Sequence, residues 1–205
     1  MNDDGALIRL ENIEKRYGRQ SVLVIEHLTF NDGDRVLITG ANGSGKSTLL
    51  KLLAGVIPLD RGRIHRARPL RRGLLGYVPQ AGGLYPDLTV AKNLALRQGL
   101  SGVRAVAEPP IAKALGLTAF LDRRADALSG GFQRLTALAA ALAIGPAWLA
   151  LDEPLSGMDA QKRLVVTEVV AAEADRARLL LMTSPTRESL RFITRTLDLK
   201  EGRLA

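Results

Sequence analysis

The sequence contains no cysteine and only two histidines, His27 and His65. Without cysteine the chain can form no disulfide, has no thiolate nucleophile and offers no cysteine-based zinc or iron–sulfur site. Any mechanism that needs an imidazole must use one of the two histidine positions. The lack of cysteine also fits a protein of a reducing compartment.

Long hydrophobic runs are missing as well. The longest stretch without a charged residue spans residues 135–151, but it is largely alanine and is interrupted by Gly145 and Pro146. This pattern predicts a buried helix, a turn and a buried strand rather than a membrane span. The N-terminus opens with two acidic residues, Asp3 and Asp4, and lacks the basic and then apolar order of a signal peptide. We therefore expect a cytoplasmic protein.

Length and charge limit the possible classes of protein. The 205 residues suffice for a single domain of good size, and two large modules in tandem are disfavoured. Lys and Arg total 29 and Asp and Glu total 21, which gives a net charge of +8, and 46% of the residues are hydrophobic. A net charge of this size can indicate binding to a nucleic acid or to an anionic lipid surface, or it can simply reflect an arginine-rich genome. We favour the last explanation. We expect no nucleic-acid partner.

A basic segment spans residues 61–72. It contains His65 and no acidic residue, and its six arginines are Arg61, Arg63, Arg66, Arg68, Arg71 and Arg72. A run of this kind is typical of a solvated loop and an exposed strand face. Contact with lipid headgroups or with another partner is the alternative.

The hydrophobic runs alternate between strand-like and helix-like periods, as expected of an α/β fold without internal repeats. The predicted strands lie at residues 7–11, 21–25, 35–39, 74–78, 148–151 and 179–182, with a closing hairpin formed by residues 194–199 and Arg203. The predicted helices span about residues 46–54, 89–97, 131–144, 159–174 and 187–192, and a further short helix begins at residues 108–110. Thr89 is the predicted N-cap of the second helix.

A glycine-rich segment follows the third predicted strand and precedes the first helix. It matches the pattern G-x-x-x-x-G-K-[ST], and we call it the P-loop: Gly40, Ala41, Asn42, Gly43, Ser44, Gly45, Lys46, Ser47 and Thr48. The glycines allow successive backbone N–H groups and a helix N-terminus to face a phosphate. We expect Lys46 to bind the β- and γ-phosphates and the Ser47 hydroxyl to hold Mg²⁺.

Two adjacent carboxylates follow the hydrophobic strand at residues 148–151. In a P-loop enzyme Asp152 would hold Mg²⁺, through water, and Glu153 would polarise the attacking water as the general base. Acidic residues at strand ends are common, so this assignment depends on the P-loop that precedes it in the chain.

Residues 128–133, Leu-Ser-Gly-Gly-Phe-Gln, lie between the P-loop and these carboxylates. By itself such a segment is an N-cap with a flexible lead-in. In this position it closely resembles the signature motif of ATP-binding cassette (ABC) proteins. The resemblance implies that Ser129, Gly130 and Gly131 bind the γ-phosphate of an ATP that is held by another subunit.

Further positions match the same family along nearly the whole chain. Tyr17 matches the aromatic residue that stacks on adenine. Gln80 matches the loop glutamine that reaches Mg²⁺ and the attacking water and that links the core to the helical insertion. Residues 155–159 resemble the loop after the carboxylates that crosses the dimer interface.

Two departures from the family pattern stand out. Phe132 replaces the usual glutamine of the signature, a change of small consequence because the phosphate contacts come from Ser129 and the glycines. The switch histidine expected after the strand at 179–182 is absent, and Ser184 or Pro185 occupies its place. His27 and His65 cannot replace it, because both precede Asp152 and belong to other elements.

The resemblance implies an α/β fold with a P-loop NTPase core, an antiparallel β subdomain that holds Tyr17, and a small helical subdomain at about 81–145, all within one domain of residues 1–205. It implies an ATPase that uses ATP and Mg²⁺ and acts as a homodimer, or as a heterodimer with a second cassette. Such a protein sits on the cytoplasmic face of the membrane and powers transport through separate transmembrane permease subunits, which dock beside Gln80.

Two alternatives remain. A soluble ABC-type ATPase of translation or DNA repair is disfavoured, because the chain is too short for two cassettes and lacks heptads between the P-loop and Ser129. A degenerate or regulatory cassette not engaged in transport would explain the missing histidine, but the presence of Glu153 and Gln80 argues against it.

Overall fold

The computed structural model describes residues 6–71, 73–106 and 108–205. Within these ranges the strands are β1 (Ala6–Tyr17), β2 (Gln20–Asn31), β3 (Asp34–Thr39), β4 (Arg61–Arg66), β5 (Leu75–Val78), β6 (Trp148–Leu151), β7 (Leu179–Ser184), β8 (Arg195–Lys200) and β9 (Arg203–Leu204). The α-helices are α1 (Lys46–Leu53), α2 (Val90–Leu100), α3 (Pro110–Ala114), α4 (Gly130–Leu142) and α5 (Ala160–Arg176). Short 3₁₀ turns lie at Thr118–Phe120 and Ala125–Ala127.

The strands form two sheets. β2, β1 and β4 make an antiparallel sheet in that order, and the second sheet has the order β5-β6-β7-β3-β8-β9. The pairs from β5 to β8 are parallel, and β9 closes the predicted terminal hairpin with β8. The predicted α/β class with an antiparallel part is confirmed.

Side chains alternate between the two faces of the parallel sheet, and each face packs into its own core. On β3, Leu37 joins a core that includes residues of α2, α4 and α5, whereas Val36 and Ile38 join a core formed with α1 and the antiparallel sheet. Because both faces are covered, the strands are almost continuously hydrophobic. The carboxyl ends of β3, β6 and β7 therefore meet at one edge of a rigid sheet.

The segment between β5 and β6 is mainly helical. Thr89 caps α2 as predicted, because its Oγ1 accepts the N–H of Lys92 at 3.2 Å. The buried amide of Asn93 binds the backbone of Tyr85 and fastens the loop before the helix. The division of the chain into one domain with a helical subdomain at about 81–145 stays a prediction.

The predicted helix at 187–192 is wrong. The chain after β7 is irregular there, with a turn closed by the bond from Ile193 N to Leu190 O. Arg187 pairs with Asp198 on β8, and Glu188 bonds to Ser184. These contacts hold the segment along the sheet edge and replace the local hydrogen bonds that a helix would make.

The basic segment contains β4, which lies at the edge of the antiparallel sheet. Its arginines are largely exposed, but Arg66 turns inward and its Nη2 donates to the carbonyl oxygens of Leu52 and Leu53 at the end of α1. Arg72 lies outside the described residues. His27 lies on β2 and His65 on β4, so both belong to the antiparallel sheet and not to the sheet that contains β6.

In the ranges that the structure describes, no helix is both long enough and apolar enough to cross a bilayer.

Candidate functional site

The P-loop connects β3 to α1 and requires glycine at two positions. Gly40 has a φ of 149°, and a Cβ on it would lie 2.1 Å from the carbonyl oxygen of Leu199. Gly45 has a φ of 101°, and its Cβ would lie 3.0 Å from the carbonyl oxygen of Val22. The loop therefore lies tightly against β2 and β8, where only glycine fits.

Lys46 is buried, and its ammonium group bonds to the loop that precedes it. Nζ donates to the carbonyl oxygens of Gly40 at 2.7 Å and Ala41 at 3.1 Å, and it lies 3.8 Å from Oε1 of Glu153. In the described part of the chain the buried Ser44 hydroxyl has no hydrogen-bond partner. A buried cation and an unpaired donor in one glycine-rich loop suit an anion with several acceptor oxygens. The P-loop therefore fits the phosphates of a nucleotide.

Two hydroxyl groups connect Asp152 to the P-loop and to the backbone of Glu153. Ser47 Oγ donates to Asp152 Oδ1 at 3.0 Å, and Thr183 Oγ1 donates to the same oxygen at 2.7 Å. Thr183 Oγ1 also accepts the backbone N–H of Glu153 at 2.8 Å. Sequence reasoning missed this role of Thr183. The only signal for it was its place directly after the strand predicted at residues 179–182.

Glu153 is held by its backbone conformation and by Gln80. Its φ of 49° lies in the left-handed region, which is uncommon for a residue with a side chain. Gln80 Nε2 donates to Glu153 Oε2 at 3.0 Å. Both residues line a cavity of about 380 Å³ together with P-loop residues 42–43 and 45–48. The predicted base and the predicted loop glutamine thus face the P-loop together.

The oxygen atoms of Ser47 and Asp152 could hold a small hard cation. A hydroxyl and a carboxylate are ligands that Mg²⁺ accepts in proteins. Among residues 6–71, 73–106 and 108–205, no group of three or more His, Cys, Asp or Glu side chains is placed to hold a metal. The donor set therefore fits a Mg²⁺ ion that takes its other ligands from phosphates and water.

The phenol of Tyr77 lies close to this site, on β5. Burial and the negative charge of Asp152 raise the pKa of Tyr77 to about 12. Desolvation of the half-buried phenol is the larger of these two causes, and the charge of Asp152 is the smaller.

Comparison with known proteins agrees with this geometry. The model of the ABC transporter family matches residues 25–156, more than half of the chain. The chain belongs to the ABC transporter family. The Fe(3+) ions import ATP-binding protein FbpC 2 of Pectobacterium atrosepticum is 34% identical, over 97% of this chain and 62% of its own length. The Nod factor export ATP-binding protein I of Burkholderia lata is 36% identical, over 97% of this chain and 69% of its own length.

The cassette also has the fold of solved ABC structures. A dimeric bacterial ABC transporter cassette superimposes with a TM-score of 0.85 at 24% identity, covering 96% of each chain. This likeness confirms the predicted cassette fold around the P-loop. The present chain spans about three fifths of the length of the iron(III) import relative.

Tyr17 of the cassette stands at the end of β1 with 51% of its surface exposed. The ammonium group of Lys15 lies 5.6 Å from the centre of its ring. The ring does not line the P-loop cavity. Its predicted stacking on adenine stays a prediction.

We call residues Ser129, Gly130 and Gly131 the signature turn of the cassette. Ser129 is the N-cap of α4, with ψ of 155°, and makes no side-chain capping bond. The turn does not line the P-loop cavity. Gly130 instead borders a groove of about 380 Å³ that includes residues 78–82 and Gln133, which we call the Gln80 groove. Within one chain, the structure does not bring the signature turn to the P-loop.

Ser184, rather than Pro185, ends β7 of the cassette. Ser184 is buried and its Oγ donates to Glu188 Oε1 at 2.9 Å, whereas Pro185 is exposed. Arg163 Nη2 donates to Glu188 Oε2 at 3.2 Å. These residues line a cavity of about 220 Å³ that also borders Glu153. Of the two candidates for the switch-histidine position, Ser184 lies buried next to this ion pair and Pro185 is exposed, and which of them takes the place of the histidine stays a prediction.

Proposed function

We propose that this cassette binds ATP with Mg²⁺ and hydrolyses it, and that hydrolysis powers transport through separate transmembrane permease subunits. One observation supports this most strongly. A continuous set of hydrogen bonds runs from Ser47 through Asp152 and Thr183 to Glu153 and Gln80, with Lys46 beside it. These are the groups that phosphoryl transfer needs, gathered at the edge of one sheet.

The P-loop residues bind the nucleotide in this proposal. ATP supplies the γ-phosphoryl group, and Mg²⁺ supplies positive charge beside it, when both are bound. Lys46 exchanges its bonds to the carbonyl oxygens of Gly40 and Ala41 for bonds to phosphate oxygens. Ser47 and Asp152 hold the metal, and the unpaired hydroxyl of Ser44 finds an acceptor. The remaining P-loop residues bind phosphate through backbone N–H groups.

Glu153 is the general base and Gln80 orients the water. The carboxylate is buried, and Gln80 occupies only its Oε2. The other oxygen faces the ammonium group of Lys46 at 3.8 Å. When Lys46 turns to phosphate, Oε1 becomes free to accept a proton from water, and Gln80 holds that water in place.

A second cassette completes the site. Ser129 and Gly130 of the signature turn are exposed and no Ser129 side-chain bond caps the start of α4, but the turn does not line the P-loop cavity of its own chain. A homodimer, or a heterodimer with another cassette, would bring the signature turn of one subunit to the ATP of the other. The solved cassette with the same fold is dimeric.

The Gln80 groove is where the permease subunits dock, on the cytoplasmic face of the membrane. The groove is lined in part by apolar residues such as Leu84 and Ala137 and joins Gln80 to the helical region. A segment of a membrane subunit that binds in this groove would lie against Gln80, the side chain that bonds to Glu153. Movement of that segment would therefore be coupled to the proposed base. No nucleic-acid partner is proposed.

Membrane fractionation of cells that express the cassette with its membrane subunits tests the transport role. We expect the chain in the membrane fraction, and we expect mild detergent to extract it in a complex with those subunits. Ala81→Arg, which introduces a bulky charge into the groove, should release the chain, whereas the exposed control Ala119→Arg should not. A wild-type chain that is wholly soluble would contradict the transport role and favour the degenerate or regulatory alternative.

A further inference from the structure

Lys162 of α5 reaches across to the first turn of α4. Its Nζ lies 5.6 Å from the centre of the Phe132 ring. A Cβ on Gly131 would lie 3.7 Å from Lys162 Cδ and 3.8 Å from Cε, so the lysine methylenes lie beside the last residue of the signature turn. An ammonium group at this distance from an aromatic face is attracted to it. The residue that departs from the family pattern, Phe132, supplies that face.

The same ammonium group bonds to the segment before α5. We call residues 155–159 the post-strand loop. Its last residue, Asp159, pairs through Oδ2 with Lys162 Nζ and accepts the backbone N–H of Lys162 through Oδ1 at 2.8 Å. The hydrogen bond to the Lys162 side chain holds the pKa of Asp159 below its usual value. One lysine thus contacts both the signature turn and the post-strand loop.

Two neighbouring contacts restrict the same region. The rings of Phe132 and Phe120 lie 4.3 Å apart between their centres and are tilted by 37°. A Cβ on Gly157 would lie 3.4 Å from Arg134 Nη1, which brings a second residue of α4 against the post-strand loop. The Phe132 ring therefore packs against Phe120 and also lies near the ammonium group of Lys162.

We propose that Lys162 is a positioning residue that holds the signature turn in a fixed position relative to the post-strand loop. Its ammonium group does so by binding the Phe132 ring and the Asp159 carboxylate together. This role rests on the proposed function, in which both elements meet a second subunit, so their relative position must be correct before the two cassettes join. Lys162 itself touches no phosphate in this proposal.

Hydrogen exchange in the nucleotide-free chain tests the positioning directly. Lys162→Met keeps the methylenes beside Gly131 and removes the charge, so we expect the amides of residues 133–135, the first in α4 with acceptors in the helix, to exchange about tenfold faster. Lys162→Arg, which can make both contacts, should restore slow exchange. Lys92→Met, at an exposed lysine of α2, is the control for charge removal and should leave the rate unchanged. Wild-type exchange rates in Lys162→Met would overturn the proposal.

Dimerisation supplies a readout that a general loss of structure would not reproduce. With ATP bound in a Glu153→Gln background, Lys162→Met should raise the dimer dissociation constant about tenfold and leave the ATP affinity of the monomer unchanged. Phe132→Leu should also raise the dissociation constant, and the double variant should raise it by less than the two single effects combined, because both changes remove the contact between Lys162 and Phe132. Fully additive effects would overturn the proposal. A Glu153→Gln parent that stays monomeric would contradict the proposed homodimer, and the exchange rates would still decide the role of Lys162.

Discussion

Thr183 and Asp152 are joined by a 2.7 Å hydrogen bond between the ends of neighbouring parallel strands, β7 and β6. The threonine hydroxyl donates its only proton to Asp152 and accepts the backbone N–H of Glu153. It therefore orients the carboxylate proposed to hold the metal and supports the backbone turn that presents the proposed base. All three residues are buried.

Thr183→Val tests this link. Valine has nearly the same shape but no hydroxyl, so the N–H of Glu153 loses its buried acceptor. We expect the free energy of unfolding in urea to fall by about 1–3 kcal/mol, with a loss of ATP turnover. Thr196→Val, at an exposed threonine of β8, is the control and should change neither quantity. Unchanged stability and turnover in Thr183→Val would show that the bond has no role.

Lys46→Ala should weaken ATP binding. The variant removes a buried ammonium group that now bonds to loop carbonyl oxygens and that we assign to the phosphates. Loss of a charge-assisted bond should lower affinity at least about tenfold, measured by calorimetry with Mg²⁺ present. Lys51→Ala on the same helix should bind ATP as the wild type does. Equal affinities for all three proteins would exclude the P-loop as the binding site.

Tyr77 makes stability depend on pH in the alkaline range. The unfolded phenol titrates near its ordinary pKa of 10, whereas the folded one titrates at about 12. Above pH 10 the unfolded chain loses a proton that the folded chain keeps, so the contribution of Tyr77 to stability is complete below pH 10 and is lost as pH rises toward 12. Tyr77→Phe should flatten the fall in unfolding free energy across this window. Tyr17→Phe, at an exposed ring, should not, and identical slopes for both variants would contradict the assignment.

The absence of the switch histidine should make the isolated cassette a slow ATPase. A hydroxyl at Ser184 replaces a donor toward the developing charge, and loss of one such donor in other enzymes lowers the rate about a hundredfold. Ser184→His should therefore raise phosphate release by the purified subunit. Pro185→His, at the neighbouring exposed position, should have a smaller effect. A wild type as fast as either variant would mean that another group, such as Thr183 or Ser184, already senses the phosphate.

Most of the fold could be predicted from sequence periodicity because the buried strands carry hydrophobic residues on both faces. The P-loop, the carboxylates after β6 and the cap at Thr89 are each specified by neighbouring residues in the chain. Their meeting at one sheet edge follows from the parallel order of β3, β7 and β6.

What could not be predicted depends on contacts between distant residues. The helix expected at 187–192 fails because Arg187 pairs with Asp198, which is invisible to a local pattern. Thr183 was inconspicuous because one threonine at a strand end has no periodic signal. Phe132 looked inconsequential in the sequence, and only the fold shows that Lys162 lies over its ring.

ATP binding and phosphate release, measured on the same preparations of wild type and Glu153→Gln, test the central claim most directly. The substitution keeps the size of the side chain and one acceptor oxygen but removes its ability to accept a proton. We predict equal affinity for ATP in the presence of Mg²⁺, phosphate release by the wild type, and none above background by Glu153→Gln. Equal rates of phosphate release by the two proteins would contradict the assignment of Glu153 and, with it, the proposed mechanism.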